Sequence, residues 1–188
     1  KHKARAVFHL LNSSVFLLLL IAAILSIPML YIKAYRPDLK WIFDLGSIFI
    51  ISFFAMGFFY WVSAKATHPD YTFKYFITNF PMFLAFSMGM ALHNSIAVVE
   101  GYLGVRTPFV RTPKFNIQSK GDSWRGNKYL STVFTPVTFF EGLLALYFIY
   151  GIISGFKLED YGLMLFHLMM ALGFSYVFLL SVRSIRYA

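Results

Sequence analysis

The sequence predicts an all-α membrane protein with four transmembrane helices, amphipathic interfacial helices and one long basic cytoplasmic loop. Of the 188 residues, 59% are hydrophobic and only 13% are charged, whereas a soluble domain carries about a quarter charged residues. Residues 13–32 and 45–64 each contain no charged side chain over 20 residues. A helix needs about that length to cross roughly 30 Å of hydrocarbon. The cations concentrate between the apolar segments, as in membrane proteins.

Five apolar segments follow one another along the chain: 13–32, 45–64, 76–104, 131–155 and 160–182. We expect two transmembrane helices within 13–64 and two more within 130–188. Residues 1–12 are cationic and amphipathic, and we expect them to lead into the first span as an interfacial helix. Pro28 and Pro136 fall inside apolar segments and are expected to kink them.

The distribution of Lys and Arg predicts the orientation of the chain. Residues 105–129 carry six Lys or Arg and one Asp, and the start and the end of the chain are also basic. Because cytoplasmic loops are enriched in Lys and Arg, we expect both termini and this loop to be cytoplasmic. An even number of crossings follows, so one of the five apolar segments does not cross.

The segment 76–104 is the one that we expect to stay on the cytoplasmic side. It contains His93, Asn94, Ser95 and Glu100, which a lipid-facing helix would not readily carry. As an interfacial helix it can turn these groups to water while its aromatic residues reach the acyl chains. Residues 65–104 are therefore predicted to be a cytoplasmic joint followed by an interfacial helix, and His93–Ser95 to face the basic loop rather than a metal ion.

The net charge of +9 does not predict binding to nucleic acid. The cations flank the predicted spans, where they set topology and contact lipid headgroups. Membrane lipids are the partners that this pattern indicates.

The basic loop repeats an Arg-Thr-Pro triplet, at 106–108 and at 111–113. Proline fixes its own φ and restricts the residue before it to extended conformations, so we expect a stiff, extended strap. Arg111 and Lys114 are suited to phosphate oxygens, and Phe109 and Phe115 to an apolar slot. The alternative is a basic loop that faces lipid and only fixes topology.

The string Phe109-Val110-Arg111-Thr112-Pro113-Lys114 resembles the gating-loop motif Phe-x-Val-Thr-x-Lys of cellulose synthase and related membrane-embedded family 2 glycosyltransferases. Phe109, Thr112 and Lys114 fall on the Phe, Thr and Lys of that motif, and Arg111 replaces its Val. The order of spans, interfacial helix, loop and spans is also similar. The resemblance implies that residues 105–129 are a gating loop that closes over a nucleotide-sugar bound to a catalytic domain, in a bacterial cytoplasmic membrane.

The same resemblance implies what this stretch of chain does not supply. It has no Asp-x-Asp pair and no Gln-x-x-Arg-Trp motif, so the catalytic residues and a divalent Mg or Mn ion are expected in a domain upstream of Lys1. The chain would be the membrane part of an enzyme that transfers sugar to a glycan or lipid acceptor. Arg111 would contact a second phosphate or the lipid headgroups. A four-span protein without enzyme activity, such as a transporter subunit or an assembly scaffold, is the alternative function.

Glu141 and His167 are ionisable side chains well inside predicted spans, where such groups are costly. Counted from Ser131, Glu141 lies about 15 Å from the cytoplasmic edge, and His167 lies about 10 Å from the outer edge counted from Asp160. In a core of about 30 Å their depths are similar, which predicts a hydrogen-bonded pair. Such a pair would either fix the register of two helices or contact a translocating glycan or lipid acceptor.

The topology makes a prediction that cysteine labelling can test. If 76–104 stays on one side of the membrane, single cysteines at Phe73 and Gln118 should react with an impermeant reagent from the same face. Labelling from opposite faces would contradict the four-span prediction.

Overall fold

The computed structural model describes residues 11–46, 48–106 and 134–186, and every regular element in these ranges is helical. Two 3-10 turns, Asn12–Ser14 and Pro37–Leu39, precede helices. The α-helices are α1 (Val15–Tyr35), α2 (Lys40–Gly46), α3 (Phe49–Thr67), α4 (Phe73–Gly89), α5 (Ala91–Tyr102), α6 (Pro136–Lys157) and α7 (Met164–Arg186).

Four helical segments are long and apolar enough to cross a membrane: Val15–Tyr35, Pro37–Thr67, Pro136–Lys157 and Met164–Ile185. The predicted all-helical fold with four helices long and apolar enough to cross a membrane is thereby confirmed. The second segment combines the Pro37–Leu39 turn with α2 and α3 and is longer than the apolar run 45–64 alone. The lead-in 1–10 and most of the basic loop, 107–133, lie outside the described residues.

Local capping explains where α6 begins. The backbone N–H of Thr138 donates to Thr135 Oγ1 at 3.2 Å, and Pro136 occupies the first helical position. A hydroxyl at the N-cap and proline at the next residue are favourable there, because the first N–H groups of a helix lack partners. The expectation that Pro136 kinks a span is therefore wrong, since this proline starts the helix. Pro28 does lie inside α1.

Helices α6 and α7 form an antiparallel hairpin that turns at residues 158–163. Gly142 lies against the Phe178 ring near one end, and Gly151 lies against His167 near the other. Between these levels the rings of Phe148 and Phe174 stack with centroids 5.8 Å apart, and both side chains are fully buried. We call the turn side the hairpin end of the bundle and the opposite side the loop end.

Helix α1 runs in the same direction as α6 and packs against the hairpin. Ala23 joins the central cluster with Phe148, Met170 and Phe174, and Ile27 contacts Gly151. At the loop end, the hydroxyls of Ser14 and Tyr102 are 2.6 Å apart, which brings the start of α1 beside the end of α5. The starts of α1 and α6 and the ends of α5 and α7 therefore share one end of the bundle.

The predicted interfacial helix 76–104 is two helices, α4 and α5, bent by 42° at Met90. Helix α4 packs closely on α7 rather than standing apart from the bundle. Leu84 and Ala85 cluster with Met169, and a Cβ added to Gly89 would collide with the backbone of Gly173. By length and composition the bent pair also suffices for a fifth span, so its position relative to the membrane stays a prediction.

Helix α3 is loosely packed. None of its side chains over residues 51–67 is buried. Its described ring contacts are with α4 and the joint before it: Trp61 lies at centroid distances of 5.1 Å from Phe73 and 5.5 Å from Phe76, and Tyr60 contacts Phe80. Aromatic packing therefore holds the end of α3 to the start of α4.

The contact between α4 and α7 predicts that replacing two different glycines by alanine has different effects on stability. A Cβ at Gly173 would collide with the Ala85 carbonyl, whereas one at Gly101 meets nothing within 4 Å. We expect Gly173→Ala to destabilise the protein by about 1–3 kcal/mol through overpacking. Gly101→Ala, the control, should be neutral or stabilising by up to about 1 kcal/mol. Thermal unfolding of the detergent-solubilised protein measures both, and equal effects would contradict the packing.

Candidate functional site

The loop residues singled out by the sequence, Phe109, Arg111, Thr112 and Lys114, lie outside the described residues. The structure does describe both flanks of this stretch, since residues 103–135 connect α5 with α6. These two helices meet at a buried polar cluster, formed by His93 near the start of α5 and Glu141 near the start of α6.

Glu141 is the centre of the cluster and lies five residues into α6, with its side chain completely buried. The hydroxyl of Ser181 on α7 donates to Glu141 Oε2 at 3.1 Å. The other carboxylate oxygen, Oε1, has no hydrogen bond within the described residues. A buried carboxylate is costly unless it is paired, so the environment of Oε1 decides how Glu141 is tolerated.

His93 of α5 is the third member of the cluster, and the sequence did not point to its role. Its Nδ1 lies 3.1 Å from Glu141 Oε1, at ion-pair distance, while its side chain remains 42% exposed. The N–H direction does not give a regular hydrogen bond, in agreement with the unpaired Oε1. A sequence signal was present, because His93 lies in an apolar segment like Glu141, but its partner is on another helix.

His167 belongs to a second buried cluster, between α1, α6 and α7. The Ser26 hydroxyl donates to the Ala23 carbonyl at 2.6 Å, and Ser26 Oγ lies 2.8 Å from His167 Nε2. The hydroxyl thus links the backbone of α1 to the His167 ring. Nδ1 of the same ring faces Gly151 of α6, so His167 contacts both neighbouring helices.

The prediction that Glu141 and His167 form a hydrogen-bonded pair is wrong, although both side chains are buried. The helix begins at Pro136, not near Ser131, so Glu141 lies close to the loop end. His167 lies beside Gly151 of α6, ten residues beyond Glu141. At 1.5 Å per residue the two levels are about 15 Å apart. Counting depth from the start of the apolar run instead of from the helix caused the error.

An apolar layer separates the two clusters. Ala145, Phe148, Met170 and Phe174 fill the bundle between the levels of Glu141 and His167, and each is almost or fully buried. A small ligand therefore cannot contact both clusters at once. Each cluster joins helices by polar contacts at its own level, which in membranes contribute about 0.6 kcal/mol on average and up to about 1.7.

The hairpin end has a third set of polar contacts between α1 and the hairpin. The Tyr31 hydroxyl lies 2.6 Å from that of Tyr150 and 3.0 Å from that of Ser154. Farther out, Lys33 Nζ pairs with Asp160 Oδ2 at 2.6 Å. Burial alone would raise the pKa of Asp160, but the Lys33 ammonium and the Gly162 N–H outweigh it and lower that pKa.

The polar clusters of the described residues offer groups for hydrogen bonding and charge pairing. No group of three or more His, Asp or Glu side chains converges within residues 11–46, 48–106 and 134–186. The loop-end cluster offers a carboxylate oxygen beside an exposed imidazole. It can accept a hydrogen bond or exchange a proton, and it joins the two helices on either side of residues 103–135.

Comparison of the chain with protein-family models, with curated proteins and with solved structures gave no match.

The Lys33–Asp160 pair predicts an acid-dependent loss of stability. Because the folded pKa of Asp160 is lowered, the pair stabilises the fold above the ordinary aspartate pKa of about 3.9. That contribution is lost as pH falls through the lower folded pKa. The pair is partly exposed, so we expect about 0.2–1 kcal/mol. Asp160→Asn should lower the melting temperature near pH 7 and leave it unchanged near pH 2.

Asp38→Asn is the comparison, because its pair with Arg36 is local, two residues apart, and more exposed. Arg36 lowers the pKa of Asp38 as well, so this variant should show the same direction of pH dependence with a smaller change in melting temperature. A pH profile of Asp160→Asn that is parallel to the wild type would contradict the assignment.

Proposed function

We propose that this chain is the membrane and gating-loop part of a family 2 glycosyltransferase, which transfers sugar from a nucleotide-sugar to a glycan or lipid acceptor. The observation that carries the proposal is the string Phe109–Lys114 within a basic stretch between helices of a membrane bundle. The flanks of this stretch favour it. His93 and Glu141 join α5 to α6, the two helices between which the stretch runs.

The residues of the loop have separate roles in this proposal. Lys114 contacts the diphosphate of the donor as a point charge, and Thr112 adds a hydroxyl hydrogen bond. Phe109 seats in a pocket of the catalytic domain and helps to exclude water when the loop closes. Arg111 contacts lipid headgroups. The catalytic residues and the divalent metal belong to a domain outside this stretch of chain.

The orientation of the bundle supports the same proposal. The start of α1, the end of α7 and both flanks of residues 103–135 share the loop end of the bundle. The Lys and Arg residues of the sequence concentrate in the segments that continue from these points. In this proposal the loop end faces the cytoplasm, because cytoplasmic segments are enriched in Lys and Arg. Nucleotide-sugars are found on that side, and both termini lie there.

The proposal predicts a large difference between two lysines of the same loop. In the full-length protein, in membranes supplied with nucleotide-sugars, Lys114→Ala should lower the rate of nucleoside diphosphate release. The expected loss is about 1.5–3 kcal/mol, typical of a hydrogen bond to a charged group, or roughly ten- to over a hundredfold in rate. Lys120→Ala, which removes the same charge outside the motif, is the control and should retain nearly full activity.

Expression and membrane insertion of both variants must equal those of the wild type. Equal small effects of the two substitutions would make the stretch a topology anchor. Absence of sugar transfer by the full-length wild type with every nucleotide-sugar tested would favour the alternative of a non-enzymatic membrane protein.

A further inference from the structure

A groove runs along the outer side of the hairpin formed by α6 and α7. Its volume is about 460 Å³, and its lining comes from Phe134, from α6 between Phe139 and Ile149, and from α7 between Ser175 and Leu179. Among the described residues, Ser175 supplies the only polar side chain of this lining. None of the lining residues belongs to α1, α4 or α5, so the groove opens to the outside of the bundle, where a membrane-spanning hairpin meets lipid.

The dimensions of the groove fit one extended hydrocarbon chain. From Phe139 to Ile149 the groove follows α6 for ten residues, or about 15 Å at 1.5 Å per residue. This length is half of a hydrocarbon core of about 30 Å, which is the depth of one leaflet. A volume of about 460 Å³ over that length gives a mean cross-section of about 30 Å². A helix about 10 Å in diameter has a cross-section of about 80 Å², so a helix of a second copy cannot enter the groove.

The groove exists because small residues face it. Gly142 and Ala145 of α6 and Ser175 of α7 leave space between larger neighbours, and the bordering side chains of Leu146 and Leu179 are 65% and 61% exposed. An empty groove in a membrane would lose dispersion contacts along its whole length. A flexible chain can follow the groove and restore those contacts.

A cation lies at the loop end of the groove. Arg183 follows Leu179 by four residues, so the two residues share one face of α7, and the Arg183 side chain is exposed. Because Glu141 lies opposite Ser181, Arg183 lies near the start of α6. The first turn of a helix carries a partial positive charge that favours anions. A phosphate attached to a chain in the groove would therefore meet positive charge from both helices.

We propose that the groove binds one acyl chain of an anionic phospholipid from the leaflet at the loop end, and that Arg183 and the start of α6 hold its phosphate. Apolar packing alone gives the chain little preference for the groove, because lipid tails are as apolar as leucine. The phosphate contact provides the selectivity, and the shape of the groove determines where the chain lies. The inference needs only a membrane-spanning hairpin and does not depend on the proposed sugar transfer.

Photo-crosslinking can locate the bound chain. The full-length protein in phosphatidylcholine nanodiscs receives a small fraction of phosphatidylglycerol that has a diazirine in the middle of one acyl chain. We expect the crosslinks to concentrate on residues 139–149 and 175–179, and an excess of unlabelled phosphatidylglycerol to suppress them. Diacylglycerol has the chains without the phosphate, and glycerol 3-phosphate has the phosphate without the chains. Neither should suppress the crosslinks to the same extent.

Two substitutions test the chain contact and the phosphate contact separately. Ser175→Leu places a larger side chain in the groove and should remove most of these crosslinks, whereas Ser52→Leu, the same change at an exposed position of α3, should retain them. Arg183→Gln should weaken competition by unlabelled phosphatidylglycerol about fivefold, the effect of one cation near an anionic surface. Arg106→Gln, which removes another exposed cation, is its control and should leave the competition unchanged.

Three results would overturn the proposal. The first is an even spread of crosslinks over the lipid-facing residues of all helices. The second is a set of groove crosslinks that persists in Ser175→Leu, and the third is equal competition by diacylglycerol, which would exclude a phosphate site. If Ser175→Leu does not insert or fold, the crosslinking map of the wild type and its competition by the three lipid and phosphate probes decide.

Discussion

The antiparallel register of α6 and α7 decides where the buried polar groups of this protein meet their partners. The register places Glu141 opposite Ser181 and Gly151 opposite His167. A shift of one helical turn would move a carboxylate and an imidazole against apolar side chains, where no water can satisfy them. The stacked rings of Phe148 and Phe174 lie between the two levels and resist such a shift. The positions of α1 and α5 follow, because their polar contacts, Ser26 and His93, are made to this hairpin.

Much of the fold was predictable, because the thickness of the hydrocarbon core sets the length of the apolar segments and the charged residues lie mostly between them. The apolar runs predicted the helices α1, α3, α6 and α7. Thr135 and Pro136 also indicate where α6 begins, since Thr is favoured at the N-cap and Pro at the first helical position. The apolar run starts several residues earlier, so its length alone gave the wrong start. The candidate site was less predictable. The burial of Glu141 and His167 followed from their place in apolar segments, but their partners depend on where a helix starts and on which faces meet. No periodic pattern in the sequence predicts the Ser26–His167 contact or the His93–Glu141 contact.

Polar contacts between helices occur at three levels along the bundle, and the three sets join different helices. The Lys33–Asp160 pair and the Tyr31, Tyr150 and Ser154 hydroxyls close the hairpin end, away from the basic stretch. The Ser26–His167 contact holds the hairpin half of the bundle and is sealed from both ends. The cluster around Glu141 includes the exposed side chain of His93 and joins α5 to α6, the helices on either side of residues 103–135. A polar contact between these two helices suits a membrane part that supports a basic connecting segment.

The close contact between Gly89 and Gly173 also bears on how the protein is made. Helix α4 is synthesised before α7. The face of α4 that carries Gly89 therefore has no partner until α7 is inserted. During that interval the rings of Trp61 and Tyr60 on α3 are available to keep α4 beside its neighbour. Close approach of two backbones leaves no space for lipid chains between them. Docking of α7 therefore has to expel lipid from this seam before the contact between α4 and α7 is complete.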